Sequence, residues 1–201
     1  MIDEVNMSDI DPMIYEGAKW DASEVLYKPN EFEGRTLTNP PDFVIKKDGI
    51  AFWIQMKELA ETERENGRSK DIAHIRGCLT EAAGVFDWDT DDQNINLIVM
   101  KTGQASYRNI DLGQAVFGDE VFKYGRFGKR EWHRENNGFF HDPGFCSKVA
   151  GVIVIKREEH SPISGYAKLL FINDRFKDRL EQIRLILDFD RAIYFNELML
   201  D

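Results

Sequence analysis

Cysteine is scarce in this chain: Cys78 and Cys146 are the two among 201 residues. Two thiols make neither a disulfide scaffold nor a zinc cluster, and both read as small buried residues of a reduced, cytoplasmic protein. Long apolar runs are lacking too. No stretch approaches the roughly eighteen residues of a membrane helix, and the acidic opening Met1-Ile2-Asp3-Glu4-Val5 is unlike a secretory signal. Positive charge is in deficit, with 26 Lys and Arg against 36 Asp and Glu, a net charge of −10. That balance argues against a protein that coats nucleic acid, but leaves room for an enzyme whose cations are gathered locally. Gly103, Gly113 and Gly118 form no phosphate-cradling loop, and no Gly-x-Ser-x-Gly elbow occurs. The acidic run Asp87 to Asp92 lacks the glycine and closing glutamate of a calcium loop. His133, His141 and Cys146 fit no tetrahedral zinc spacing.

What remains is an ordinary globular composition, 42% hydrophobic and 31% charged. Its length predicts a single domain over 1–201, able to bury roughly 70% of the surface of its unfolded chain. Residues 1–39 are polar and broken by Pro12, Gly17, Pro29 and Gly34, with room for a short helix over Met13 to Tyr27. A core of sheet and helices is expected over 40–172 and a C-terminal helical segment over 173–201. Within the core, Lys70 to Phe86 reads as an amphipathic helix. Ile72, Ile75, Leu79, Ala82, Ala83 and Phe86 share one face, and Lys70, His74, Gly77 and Glu81 line the other. Asn94 to Lys101, Val149 to Ile155 and Ala167 to Ile172 read as strands, and Ile110 to Phe122 as a short helix. Asp174 to Phe189 is the predicted final helix, with Phe176, Leu180, Ile183 and Leu187 as its stripe. Leu185 and Ile186 fall off that stripe, which suits either two-sided packing or a contact with a second subunit.

The chemistry concentrates between residues 41 and 57. Pro41-Asp42-Phe43-Val44-Ile45, a turn at Lys46-Lys47-Asp48-Gly49, and Ile50-Ala51-Phe52-Trp53-Ile54-Gln55-Met56-Lys57 read as a β-hairpin. Side chains alternate along a strand, so Trp53, Gln55 and Lys57 share one face. Two polar groups on a mostly apolar strand are costly to bury without a partner or a task. The hairpin can bring Asp42 beside them. Taken singly, each residue has a plain structural role: a turn cap, a backbone hydrogen bond, a strand end that reaches water. Together they group an anion, an amide and a cation.

Pro41-Asp42 followed by Gln55-Met56-Lys57 resembles the signature of the PD-(D/E)XK nuclease superfamily. Gln55 stands where most members carry Asp or Glu, a Gln-x-Lys variant that also occurs in the Mrr-like branch. The resemblance implies a restriction-endonuclease-like α/β fold, a mixed central sheet flanked by helices with an α-β-β-β-α-β core. It also implies a nuclease acting on DNA, with Mg²⁺ or Mn²⁺ held by Asp42 and Gln55 and Lys57 at the scissile phosphate. A hard cation of this kind takes oxygen ligands and activates water. An extra glutamate on an upstream helix would fall to Glu16 or Glu24, and Glu81 could stand in for the carboxylate missing at position 55. Loss of that carboxylate also suits a module on the same fold that binds nucleic acid or protein without cutting.

One local excess of cations stands out from the acidic background. Lys123, Arg126, Lys129, Arg130 and Arg134 surround Tyr124, Phe127 and Trp132. Such a segment can contact phosphates and stack on unpaired bases, with Lys123, Arg126, Lys129, Arg130, Trp132 and Arg134 as the contacts. It suits equally an exposed loop whose aromatics pack inward.

Overall fold

The computed structural model describes residues 25–59, 68–102, 107–124, 130–157 and 166–195. In chain order the strands begin with β1 (Val25–Tyr27), β2 (Glu31–Phe32), β3 (Arg35–Thr36), β4 (Phe43–Lys47) and β5 (Ile50–Leu59). Helix α1 (Arg68–Ala83), β6 (Asn94–Thr102), α2 (Asn109–Phe117), β7 (Glu120–Tyr124) and β8 (Arg130–Arg134) follow. The chain continues through β9 (Gly151–Arg157), β10 (Tyr166–Ile172), α3 (Leu180–Ile186) and β11 (Arg191–Ile193). Seven strands make one mixed sheet in the order β1-β4-β5-β6-β9-β10-β11. Strand β4 runs antiparallel to β1 and β5, whereas β5, β6 and β9 are mutually parallel.

The β4–β5 hairpin forms because its turn chemistry matches its alternation. Asp48 (φ 51°) and Gly49 (φ 79°) both adopt positive φ between the paired Lys47 and Ile50. A two-residue loop of this hand suits the twist of the flanking strands, and Asp-Gly is the favoured sequence for it. Alternation then sorts the side chains onto two faces. Val44 and Trp53 join one apolar cluster with Ile75, Leu79 and Ala82 of α1 and Leu112 and Val116 of α2. Ile45, Phe52 and Ile54 join a second with Ile183 and Ile186 of α3. Helices therefore cover both faces of the sheet. Leu79 is fully buried, and truncating such a residue to alanine costs about 2–5 kcal/mol.

Several elements depart from the sequence reading. Residues 25–27 are a strand, not the end of a helix; they pair with Phe43–Ile45, and residues 13–24 of the expected helix lie outside the described residues. The helix read as Ile110 to Phe122 is α2, which ends at Phe117, with Gly118 at φ 120° as its cap. What read as a basic loop is largely the β7–β8 hairpin, with Lys123 opposite Glu131 and Tyr124 opposite Arg130.

The last predicted helix is broken. A 3-10 segment, Asp174–Arg179, carries the non-helical Phe176 (φ −122°) and leads into seven residues of α3. Leu187 is already extended, and the chain adds β11 in parallel beside β10. Ile186 is buried and Leu185 packs partly on the same apolar cluster, so the fold itself accounts for both. Among the described residues no helix is long and apolar enough to cross a membrane.

Candidate active site

The register of the sheet brings Asp42 and Gln55 together, and Lys57 is paired with Glu81. Phe43 pairs with Ile54 as the last rung of β4 on β5, so Asp42 stands opposite Gln55 one step beyond it. Past that point β5 has lost β4 as a neighbour, while β6 still pairs it as far as Leu59. Asp42 fills the gap with its side chain. Its Oδ2 accepts the backbone N–H of Met56 at 2.8 Å and the Gln55 amide Nε2 at 2.8 Å. Among the described residues, Oδ1 meets the Lys28 ammonium, at 3.9 Å. A carboxylate that takes two N–H donors on one oxygen is held in place while the other oxygen stays available.

Gln55 is oriented by its two acceptors, Asp42 Oδ2 and, at 3.3 Å, the carbonyl of Met56. The same geometry leaves Gln55 Oε1 buried without a hydrogen-bond partner. An orphaned buried acceptor costs about 1–3 kcal/mol, and such groups in native folds call for an explanation such as an ion or a water. Lys57 lies two residues further along the same face. Its ammonium is 2.6 Å from Glu81 Oε1, so strand β5 is tied to the polar face of α1. Glu81 keeps a side chain 71% exposed and Lys57 one 25% exposed, which places the pair at the surface. Cys78 and His74 lie one and two turns back along α1, with Cys78 Sγ 3.8 Å from His74 Nε2. The Cys78 thiol is pushed up from its ordinary value, first by burial, then by Glu81, with Lys57 pulling it down.

Beneath the polar face lies a rigid aromatic floor. Trp53 packs edge-on against Phe32 at 4.7 Å and Trp88 at 4.4 Å, and donates its indole N–H to Asn94 Oδ1 at 3.1 Å. Anchored at both ends, Trp53 fixes the strand that carries Gln55 and Lys57.

The chain matches no family model, no curated protein and no solved structure. Its function therefore rests on its own residues.

The other residues singled out from the sequence fall in three places. Glu16, Glu24, Arg126 and Lys129 lie outside the described residues. Lys123, Arg130 and Trp132 fall on the β7–β8 hairpin, their side chains outside the description. Arg134 is described, and it differs from the phosphate contact expected of it. Its side chain is 4% exposed, paired with Glu120, donating to the Phe195 carbonyl at 2.7 Å and lying over the Phe117 ring at 5.3 Å. A guanidinium held by an anion, a carbonyl and an aromatic face is a structural clamp. Its position at the end of an aromatic, charged hairpin was the available clue. His141 is half-buried, its ring 5.0 Å from that of Phe195. Among the described residues, no three or more His, Cys, Asp or Glu side chains converge as a metal cluster.

Lys28 is the residue that motif reasoning missed. Its N–H donates to the Asp42 carbonyl at 3.0 Å, its φ is 40°, and it belongs to no recognisable pattern. Only the pairing of Tyr27 with Phe43 reveals it as the neighbour of Asp42.

Proposed function

We propose that this chain is a metal-dependent nuclease of the PD-(D/E)XK type that hydrolyses phosphodiester bonds in DNA. The observation that carries the reading is the 2.8 Å contact of the Gln55 side-chain amide with Asp42 at the point where β4 leaves β5. The element order supports it: with the short β2–β3 pair set between β1 and β4, the succession β1, β4, β5, α1 and β6 suits the β-β-β-α-β part of an α-β-β-β-α-β core.

The donor set fits a hard divalent ion. Asp42 offers a carboxylate oxygen that, among the described residues, has no donor nearer than Lys28 at 3.9 Å, Gln55 offers a neutral oxygen, and Glu81 a second carboxylate, paired with Lys57. For Gln55 Oε1 and Asp42 to face one ion, the amide must turn over, since its nitrogen now points at the carboxylate. Mg²⁺ or Mn²⁺ bound here would supply water activation and charge neutralisation at the phosphate. With one carboxylate fewer than usual, this site holds its ion weakly until a phosphate adds its own oxygens. Lys57 contributes a point cation for the charge that develops on the phosphate, and Glu81 sets the direction of that cation.

A second reading has an observation of its own. Asp42 accepts from Gln55 Nε2, and Lys57 donates to Glu81, so each pair is complete within the chain. A module that kept the fold and lost cleavage, binding nucleic acid or protein instead, would look like this. Incubating wild type and Lys57→Ala with Mn²⁺ and labelled DNA separates the two. The nuclease reading expects cleavage by wild type and none by the folded variant; equal products from both contradict it.

A further inference from the structure

We propose that Lys28, braced on the ring of Tyr27, grips a phosphate of the nucleic-acid backbone beside the bond to be cut. The inference rests on reading the Asp42 site as a phosphodiester-cleaving centre, and it deepens that reading by naming a second cation on the substrate side.

Three strands lay out a single polar row. Tyr27 is the last residue of β1 paired with β4, opposite Phe43, and Phe43 is the last residue of β4 paired with β5, opposite Ile54. One step beyond both pairs come Lys28, Asp42 and Gln55, side by side across the sheet. The Lys28 N–H to Asp42 carbonyl bond of 3.0 Å fixes the first two in that order, and the 2.8 Å amide bond fixes the second two. Lys57 lies on the far flank of the row against α1. Two lysines thus flank the row, Lys28 just past the end of β1 and Lys57 on the inner strand β5.

Lys28 is fixed in place, and among the described residues its ammonium holds only a long ion pair and a ring contact. Its backbone is held at φ 40°, a conformation that non-glycine residues rarely take. Its ammonium is 3.9 Å from Asp42 Oδ1, longer than a hydrogen bond, and the side chain is 55% exposed. The same ammonium lies 5.3 Å from the centroid of the Tyr27 ring. Tyr27, 40% exposed, is the one large hydrophobic residue of the described set that stands out of the surface. Its ring is steadied by Phe43 at 5.4 Å. A lysine aimed over a fixed aromatic beside the site can leave a long ion pair for a phosphate at little cost. An ammonium is a compact cation that takes phosphate as a point charge.

Lys28→Gln tests this through binding, with no reliance on turnover. Anisotropy of a fluorescein-labelled single-stranded oligodeoxynucleotide in EDTA gives the dissociation constant across a salt series. Mn²⁺ titration, with Asp42→Asn as its control, gives the metal arm. Lys28→Gln should weaken oligonucleotide binding roughly tenfold and lower the log–log salt slope by about 0.7, one phosphate contact. Lys28→Arg should keep most of both. Removing a cation from beside Asp42 should leave Mn²⁺ binding as tight or tighter, whereas a merely structural loss would weaken both ligands. Wild type that binds Mn²⁺ through Asp42 while Lys28→Gln keeps the wild-type constant and slope overturns the Lys28 inference alone. Weakening of both ligands in Lys28→Gln also overturns it. Wild type that binds neither Mn²⁺ nor the oligonucleotide overturns the site reading, and the inference with it.

Discussion

The ammonium of Lys57 and the carboxylate of Glu81 meet at 2.6 Å across the gap between strand β5 and helix α1. Because Glu81 is largely exposed, the pair adds little to stability, within about 1 kcal/mol for a surface ion pair. Its value lies in aim: it directs the cation that lies two residues beyond Gln55 on the same face of β5.

Cys78 provides a built-in reporter of that pair. Its thiol is raised from 9.0 by burial first and by Glu81 second, while Lys57 lowers it. Glu81→Gln should therefore bring the thiolate transition down in pH, and Lys57→Ala should move it further up. The pH dependence of alkylation by iodoacetamide reads this directly. For stability the sign follows from a folded value above the unfolded one: the Cys78 contribution is full below pH 9 and lost as pH rises through the folded value. Identical alkylation profiles in wild type and both variants would mean that these charges do not reach the thiol.

Gln55→Glu should restore the second carboxylate and change the metal dependence. Without metal, the variant sets two carboxylates against each other where an amide now donates at 2.8 Å. It should then lose about 1–3 kcal/mol of stability, the cost of an unmet buried acceptor. Mn²⁺ should recover that loss and bind more tightly than in wild type. Urea unfolding with and without Mn²⁺ measures both effects; a variant equally stable under the two conditions contradicts the expectation.

His141 should make the fold acid-sensitive in a defined window. Burial lowers its value from 6.5, with Arg134 adding to the fall and the Phe117 carbonyl and Asp174 opposing it. A group depressed in the folded state contributes stability that is present above pH 6.5 and lost as pH falls through the folded value. One proton limits the slope to about 1.4 kcal/mol per pH unit. His141→Gln should flatten unfolding free energy below pH 6.5. A wild-type profile already flat there contradicts the assignment.

The hairpin that carries the site was legible because two signals agree there, a pair of apolar runs and the Asp-Gly turn between them. The apolar stripe of α1 was legible for the same reason: Ile75, Leu79 and Ala82 keep helical spacing and are buried together. Glu81, read as a stand-in carboxylate on the polar face, lies against Lys57. Tertiary contacts decided what periodicity could not. Val25–Tyr27 is too short for a pattern and becomes a strand by pairing with β4. Leu187 keeps helical spacing yet bends away, because the chain is drawn into β11 beside β10. Arg134 carries the same charge as its neighbours, and only the fold shows that Glu120 and Phe117 enclose it. Lys28 has no motif at all and acquires meaning from register.

Soaking crystals with Mn²⁺ and recording anomalous diffraction tests the central claim most directly. The account predicts a peak between Asp42 Oδ1 and Gln55 Oε1, with the Gln55 amide turned over, and no peak in Asp42→Asn. Crystals that show no peak there, with the Gln55 nitrogen still on Asp42, would contradict it.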